Sequence, residues 1–403
     1  MINAALIGIS GFGSVHCNDL LREHRGRRLK FAAATVINQE QEAERCAVLR
    51  ELGVELFSDY REMLEKHTGR IDLCCIPTGI AMHTPMAIAA MRSGANVLIE
   101  KPAAPTVQDI ACMQAAEKQY KRFTAVAFQQ LYRPEIMNLK RALCGGLIGD
   151  VRSISFKSVW PRNLKYYTRN NWAGRLQCGN DWVLDSPFNN AMAHHLMMAC
   201  FLGGSTPERA LTLRSITAEL YRANRIESAD TASIMAESTE NIALHFCVSH
   251  ASAHELPDTI TVNGTQGSII ITRDMVAVEN NSGRTEMEFD RDIVREQLLD
   301  AIIARAEGHD RFICSLELAR VHTLLVNGVH DSSMIVPINP DCLFEETADN
   351  SQTMAVKGMN DYIEQAVMEH KMLSEVCPEY FPGCGRKIDL VDYVKFTGGK
   401  RSC

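Results

Sequence analysis

Two stretches carry side chains that could do acid–base or binding chemistry. The first is Val97-Leu98-Ile99-Glu100-Lys101-Pro102, a short apolar run broken abruptly by a carboxylate, an amine and a proline. In an open parallel sheet, ligands bind beyond the carboxyl ends of the strands, so a lysine there would face a cofactor or substrate crevice. Taken alone, the tripeptide reads as a solvated lysine, because charged side chains are mostly exposed. The second stretch is Asp185-Ser186-Pro187-Phe188-Asn189, running on to His194-His195. Pro187 suits the first turn of a helix, with Asp185 or Ser186 as its cap. Just upstream, Arg162, Tyr166, Tyr167, Arg169, Asn170 and Trp172 form an aromatic and hydrogen-bonding segment suited to a polyol, the other reading being an ordered surface loop. Either tyrosine could relay a proton.

These side chains need a frame, and the first third of the chain supplies one. Ala4 to Ile7 is a buried-strand run, followed by Gly8-Ile9-Ser10-Gly11-Phe12-Gly13 and a helix-compatible stretch to about His24. Strand, glycine turn and helix are the context that a dinucleotide fingerprint requires. The first glycine allows the tight turn, the last lets helix pack on strand, and the helix N-terminus offers N–H groups to a pyrophosphate. Ser10 replaces the middle glycine, so its hydroxymethyl must turn away from the phosphates or bond them. The second strand, Phe31 to Ile37, ends in Asn38, with neither an acid nor an arginine at its tip; Asn38 could bond a ribose hydroxyl, which leaves NAD and NADP both open. Strand Ile71 to Ile76, the helices 41–52, 62–67 and 85–92, and the run at Val97 continue the alternation of a parallel, doubly wound sheet.

In order, Gly8 to His16, then Ile76-Pro77-Thr78 with His83, then Glu100-Lys101-Pro102 resemble the Gfo/Idh/MocA family of nicotinamide-dependent oxidoreductases. The resemblance covers about residues 3–335. It implies a Rossmann-type domain over 1–128 and, over 129–403, an α+β substrate-binding and oligomerisation domain on a large, mostly antiparallel open sheet. It implies a cofactor, NAD or NADP, held by Gly8, Ser10, Gly11, Phe12, Gly13, Asn38, Pro77, Thr78, His83, Glu100, Lys101, Pro102 and Gln129. Lys101 would lie beside nicotinamide and substrate, with the following peptide bond often cis, as proline permits. The family carries an Asp and, four residues later, a His on one helical face toward the substrate; Asp185 matches the first and Asn189 stands in place of the second. An amide can orient a hydroxyl but cannot accept a proton near neutral pH. Lys101 thus becomes the expected acid–base group, provided burial or a nearby cation lowers its pKa. His194 is a rival, although helical spacing sets it above Asn190 and not Asn189. Arg162, Tyr166, Tyr167, Trp172, Asp185, Asn189 and His194 would contact a sugar, cyclitol or related polyol, and Lys101 and Asp185 are expected to converge on it. Two rival readings are an NAD-dependent glycoside hydrolase of the same fold and a non-catalytic sensor of cofactor or sugar.

Beyond residue 128, an amphipathic helix over 136–147 precedes strands at Val151 to Trp160, Ala229 to Glu237, Asn241 to His250, Thr259 to Val262 and Gly267 to Thr272. Asp230-Thr231 is read as structural. His250 and His254 are four apart near a strand end and share a side if the strand continues, but no further metal ligands are evident. Helices are expected over 292–307, 311–330 and 359–370, with 377–385 as loop. A net charge of −7, with no basic run beyond Arg22 to Lys30, argues against nucleic acid. No apolar run reaches membrane-spanning length. The 14 cysteines contain no Cys-x-x-Cys pair, and with a strand opening the chain they predict reduced thiols and a cytoplasmic protein without a leader. A homo-oligomer, dimer or tetramer, is expected through the exposed face of the antiparallel sheet.

Overall fold

The computed structural model describes residues 1–290, 293–348, 351–383 and 385–398. Residue 292, where an expected helix starts, residue 384 of the expected 377–385 loop and residues 399–403 lie outside them. The chain divides into two compact units, one of Met1–Ala104, Gln108–Arg133 and Asp292–Arg320, the other of Pro105–Val107, Pro134–Arg291 and Val321–Cys403. Residues 292–320, assigned from the sequence to the second domain, therefore belong with the first unit.

The first unit is built on six parallel strands: β1 (Ile2–Ile7), β2 (Leu29–Thr35), β3 (Glu55–Phe57), β4 (Leu73–Ile76), β5 (Asn96–Ile99) and β6 (Thr124–Val126). They lie in the order β3-β2-β1-β4-β5-β6. The order reverses between β1 and β4, the switch point at which such sheets bind ligands. Helices α1 (Gly13–Arg25), α2 (Ala43–Glu51), α3 (Tyr60–Lys66), α4 (His83–Arg92) and α5 (Val107–Tyr120) make the crossovers. Strand β2 contains Ala32-Ala33-Ala34, residues with no strand preference, yet Phe31, Ala33 and Ala34 are fully buried. Burying a side chain like Phe31 contributes about 1.5–3 kcal/mol. That outweighs the roughly 1 kcal/mol spread of strand propensities.

The second unit carries α6 (Pro134–Cys144) and a ten-stranded sheet. Its strands are β7 (Val151–Val159), β10 (Leu213–Arg222), β11 (Thr231–Ser238), β12 (Ala243–Ser249), β13 (Leu256–Gly264), β14 (Gly267–Thr272), β15 (Met275–Asn280), β16 (Gly283–Glu288), β17 (Ile335–Pro337) and β20 (Ile388–Asp389); β8 (Gln177–Cys178) pairs with β9 (Asp181–Trp182), and β18 (Leu343–Ala348) with β19 (Ser351–Val356), apart from that sheet. Only the β12–β7 and β10–β17 pairings are parallel, so the mostly antiparallel expectation holds. One face presents Ile154, Phe156, Ala218, Leu220, Ile234, Phe246 and Val248, all buried, and α8 (Ala193–Leu202) packs on it.

The opposite face corrects two expectations. First, β10 was not foreseen, although Ser215, Thr217, Glu219 and Tyr221 alternate in it with apolar residues as in a strand with one side toward solvent. Glu219 is instead buried and accepts bonds from the Tyr221 hydroxyl at 2.9 Å and from the Ser374 N–H at 3.1 Å. Secondly, the sheet is not wholly exposed on this side. Beyond α10 (Leu316–Ser332), the tail helices α11 (Met359–Glu369) and α12 (Leu373–Val376) cover one end of it, packing Met359, Ile363, Ala366 and Leu373 against Val159, Tyr221 and Cys247. What remains open is a hollow of about 550 Å³ lined by Ser153, Ser155, Thr217, Met235, Glu237 and His245. Among the described residues no helix is long and apolar enough to cross a membrane, and no group of three or more potential ligands could hold a metal ion.

Candidate active site

In the first unit the glycine turn leaves β1 at Gly8, whose φ is +92°, and passes Gly11 at φ +57°. Gly13 is fixed by space: a Cβ there would lie 2.5 Å from the Gly8 carbonyl oxygen. Pro77 and Thr78, at the end of β4, pack on the same turn, each about 3.6 Å from where a glycine Cβ would sit. Ser10 and Asn38 bond each other through their side chains at 3.1 Å, and the Asn38 amide also donates to Gln41 at 3.1 Å. Helix α1 opens beyond Phe12 with no acidic residue in its first turn. Its N-terminal end is therefore positive and suited to an anion.

At the end of β5, Glu100 is buried and His16 sits 2.8 Å from its carboxylate. The other carboxylate oxygen accepts the Lys101 N–H at 3.1 Å. Arg295, from helix α9 (Val294–Ala306), lies 3.8 Å from Glu100 and donates to Asp19 at 2.7 Å. Burial acts on Glu100 most strongly and pushes its pKa up. The His16 hydrogen bond and the charges of His16, Lys101 and Arg295 outweigh it, so the carboxyl is held below the usual range. Lys101 is half-buried, and its bond to Pro102 is cis. His83 is buried with its two ring nitrogens 3.0 Å and 3.1 Å from the carbonyls of Pro102 and Thr78. Burial pulls its pKa down, against those carbonyls. It links the two loops through backbone. Gln129 stands half-buried at the start of a 3-10 turn, Gln129–Tyr132.

In the second unit the segment expected to hold a polyol is an aromatic and cationic cluster. Helix α7 (Leu164–Thr168) is capped by Asn163, which accepts the Tyr166 N–H at 3.1 Å. The guanidinium of Arg169 lies 3.6 Å from the Tyr166 ring centre and 5.0 Å from the Trp172 ring. That of Arg162 is 4.7 Å from the Tyr166 ring and 5.5 Å from Trp160. The Tyr167 ring packs on Gly174, and among the described residues its buried hydroxyl has no hydrogen-bond partner. Burial first, then Asp230 and Asp185 among other neighbours, pushes the Tyr167 pKa well up, so this phenol stays protonated. Tyr166 is raised by burial and by Asp185. Both tyrosines therefore share an environment with Asp185.

Asp185 is buried and accepts the Gly174 N–H at 2.6 Å and the Asn190 amide at 2.9 Å. The cap is Ser186, whose hydroxyl accepts the Asn189 N–H at 3.2 Å, so Asp185 is left for other work. Pro187–Ala191 is a π-helical turn, and α8 begins only at Ala193. The expected i, i+4 stacking of His194 on Asn190 therefore does not apply. His194 is half-buried at the start of α8, while His195 stacks on Phe156 at 5.0 Å, 3.5 Å from Asp258. The Asn189 amide donates to the carbonyls of Val183 and Leu184 at 3.2 and 3.0 Å. Leu184 has φ +53°, a conformation a leucine keeps only when its surroundings impose it. Asn189→Ala should therefore cost about 1–3 kcal/mol of stability, read as a lowered urea midpoint. An unchanged midpoint would mean that the two bonds do not hold the loop.

His250 and His254 do not share a side: His250 is buried with its ring on the Trp160 carbonyl at 2.8 Å, and His254 is exposed. Asp230 is fully buried and accepts the N–H groups of Ala223 and Asn224, the structural role read from the sequence. Sequence reasoning missed the work of Asp19 and Arg295, which meet across 276 positions, and of Asn190, which bonds Asp185 five positions back; His16 stood in the Gly8 to His16 motif, but its contact with Glu100, 84 positions on, was not legible there.

Comparison with known proteins agrees with this geometry. The Gfo/Idh/MocA model described as an oxidoreductase family with an NAD-binding Rossmann fold matches residues 2–128, and that family's C-terminal domain matches 136–270. The chain is similar to inositol 2-dehydrogenase 4 of Saccharopolyspora erythraea, 28% identical over 146 residues, 36% of this chain and 42% of that protein. It is similar to scyllo-inositol 2-dehydrogenase (NAD(+)) of Bacillus subtilis, 26% identical over 149 residues, 37% of this chain and 42% of that one. The chain thus spans less than half the length of these curated relatives. Among solved structures, the WlbA dehydrogenase of Bordetella pertussis, in complex with NADH and UDP-GlcNAcA, shares the fold with a TM-score of 0.67 at 20% identity, over 81% of this chain and 95% of that one. An NAD binding oxidoreductase from Klebsiella pneumoniae does so with a TM-score of 0.68 at 19% identity, over 81% and 96%.

Proposed function

The chain belongs to the Gfo/Idh/MocA oxidoreductase family, and from that premise we propose that it transfers hydride between a nicotinamide dinucleotide and a hydroxyl-bearing carbon of a sugar, cyclitol or related polyol. The observation that carries the reading is the glycine turn. Its closest approach leaves no room for a Cβ at Gly13, and it opens onto a helix end without an acid. That cradle fits a pyrophosphate. Gly8 to Gly13 would hold the phosphates, Asn38 with Ser10 the ribose, and Pro77 and Thr78 the floor of the turn. A nicotinamide supplies the hydride acceptor or donor.

The protein's own part is proton handling and orientation. Lys101 holds or takes the proton of the substrate hydroxyl. Glu100, fixed by His16, positions Lys101 through its backbone N–H, and His83 does the same from the Pro102 side. Asp185, supported by Gly174 and Asn190, binds a substrate hydroxyl, while Asn189 keeps the 183–185 loop in shape. The named inositol dehydrogenases support a cyclitol or sugar as substrate class.

Calorimetric titration with NAD, NADH, NADP and NADPH, followed by nicotinamide absorbance with a panel of polyols, tests this. Saturable binding with a preference for NAD and NADH is expected, and then cofactor reduction by at least one polyol. Absence of binding to all four dinucleotides would remove the oxidoreductase reading altogether.

A further inference from the structure

We infer that Arg162 and Arg169 form a recognition point for an anionic group, so that the substrate is a sugar or polyol carrying a carboxylate or phosphate. The inference rests on the oxidoreductase reading and narrows its substrate. Both guanidiniums stack on one ring, that of Tyr166, at 4.7 and 3.6 Å. Among the described residues neither forms an ion pair with a carboxylate. The acids of this region have other partners on the page: Asp185 accepts Gly174 and Asn190, and Asp230 accepts Ala223 and Asn224.

Stacking on aromatic rings can hold an arginine in place. It satisfies none of the five in-plane N–H donors, however. Arg169 gives one N–H to the Tyr166 carbonyl. Among the described residues the buried Arg162 Nε has no hydrogen-bond partner, a deficit that an acceptor oxygen would relieve. A site for a neutral polyol needs amides, hydroxyls and carboxylates around its rings, and gains nothing from two like charges on one tyrosine. Planar forks held by stacking are instead what carboxylate and phosphate recognition uses. The local field agrees: after burial, Arg162 and Arg169 both help to push the His250 pKa down to about 3. Tyr166 and Trp172 are half-buried and Arg169 is exposed, so a ligand can reach the cluster.

The test is calorimetric binding to the NADH-loaded protein of glucose and galactose, each as the neutral sugar, the uronate and the 6-phosphate. At least one anionic form should bind about ten- to a hundredfold tighter than its neutral parent. The uronate and phosphate arms tell the two anions apart. Arg162→Met and Arg169→Met should each weaken the anionic form far more than its neutral parent, erasing most of that advantage, while NADH binding stays in place. Arg162→Lys should restore part of it, and added salt should weaken only the anionic ligands. No anionic form outbinding its parent, or an advantage unmoved by either methionine, overturns the inference. Failure of NADH itself to bind counts against the oxidoreductase reading instead.

Discussion

Replacing Lys101 by methionine is expected to lower turnover by roughly 10²–10⁴-fold, the range that positioned acid–base groups contribute. Methionine keeps an unbranched side chain of similar length and removes the charge and all three donors. The loop that presents Lys101 should survive the change. It is held by the Glu100–His16 contact at 2.8 Å, by Arg295 and by the two carbonyl contacts of His83, none of which uses the lysine ammonium. NADH affinity and melting temperature should therefore change little. If the lysine carries the proton, the pH–rate profile should also lose the limb that reports its titration. Near-normal turnover with the wild-type profile would mean that the proton goes elsewhere, and Tyr167 and His194 would be the next to replace. Tyr167 would be a poor base, because burial and the acids around it keep its phenol protonated.

The second large effect concerns the glycine turn. Gly13→Ala should weaken NADH binding by on the order of 10²-fold or more. Its Cβ would stand 2.5 Å from the Gly8 oxygen and 2.9 Å from the Gly8 carbonyl carbon. Both are backbone atoms, so the turn can make room only by opening, and overpacking of this kind costs about 1–3 kcal/mol or more. Gly11→Ala is the internal comparison. No atom lies within 4 Å of a Cβ there, so only its φ of +57° resists substitution. A left-handed alanine costs about 1–2 kcal/mol. The calorimetric order of affinities should be wild type, then Gly11→Ala, then Gly13→Ala. Equal losses at the two positions would show that conformation, and not close approach, governs the turn.

The nucleotide-binding half was legible because its signals are local. Short apolar runs, glycines at turns and helix-length intervals recur within about thirty residues of each other, and such patterns follow from backbone sterics and burial. Apart from the three-residue β3 (Glu55–Phe57), which was not foreseen, the strands and helices of residues 1–128 begin and end within a few residues of the expected bounds. The second unit was harder. Strand β10 was not foreseen, and its alternate residues Ser215, Thr217, Glu219 and Tyr221 lie on the face that residues some 150 positions later cover in part. The tail that does this also occupies one end of the sheet face expected to meet a second copy.

At the site, the strand–turn–helix context marked the turn that would hold a dinucleotide, whereas Lys101, read alone as a solvated lysine, became the candidate acid–base group, with Asp185 as its partner, only through family resemblance. Tertiary structure decided what each of them leans on. His16 meets Glu100 across 84 positions, and Arg295 meets Asp19 across 276. Whether Asp185 or Ser186 caps the helix could not be read from the chain, since both types cap well. The fold chose Ser186 by turning Pro187–Ala191 into a π-helical turn, which left the Asp185 carboxylate for Gly174 and Asn190. Asn189 was expected to meet substrate, but its amide points back to the carbonyls of its own loop. Backbone periodicity is a property of neighbours in sequence and can be read there. The partner of a buried charge or amide is set by whichever distant segment the packed core brings beside it.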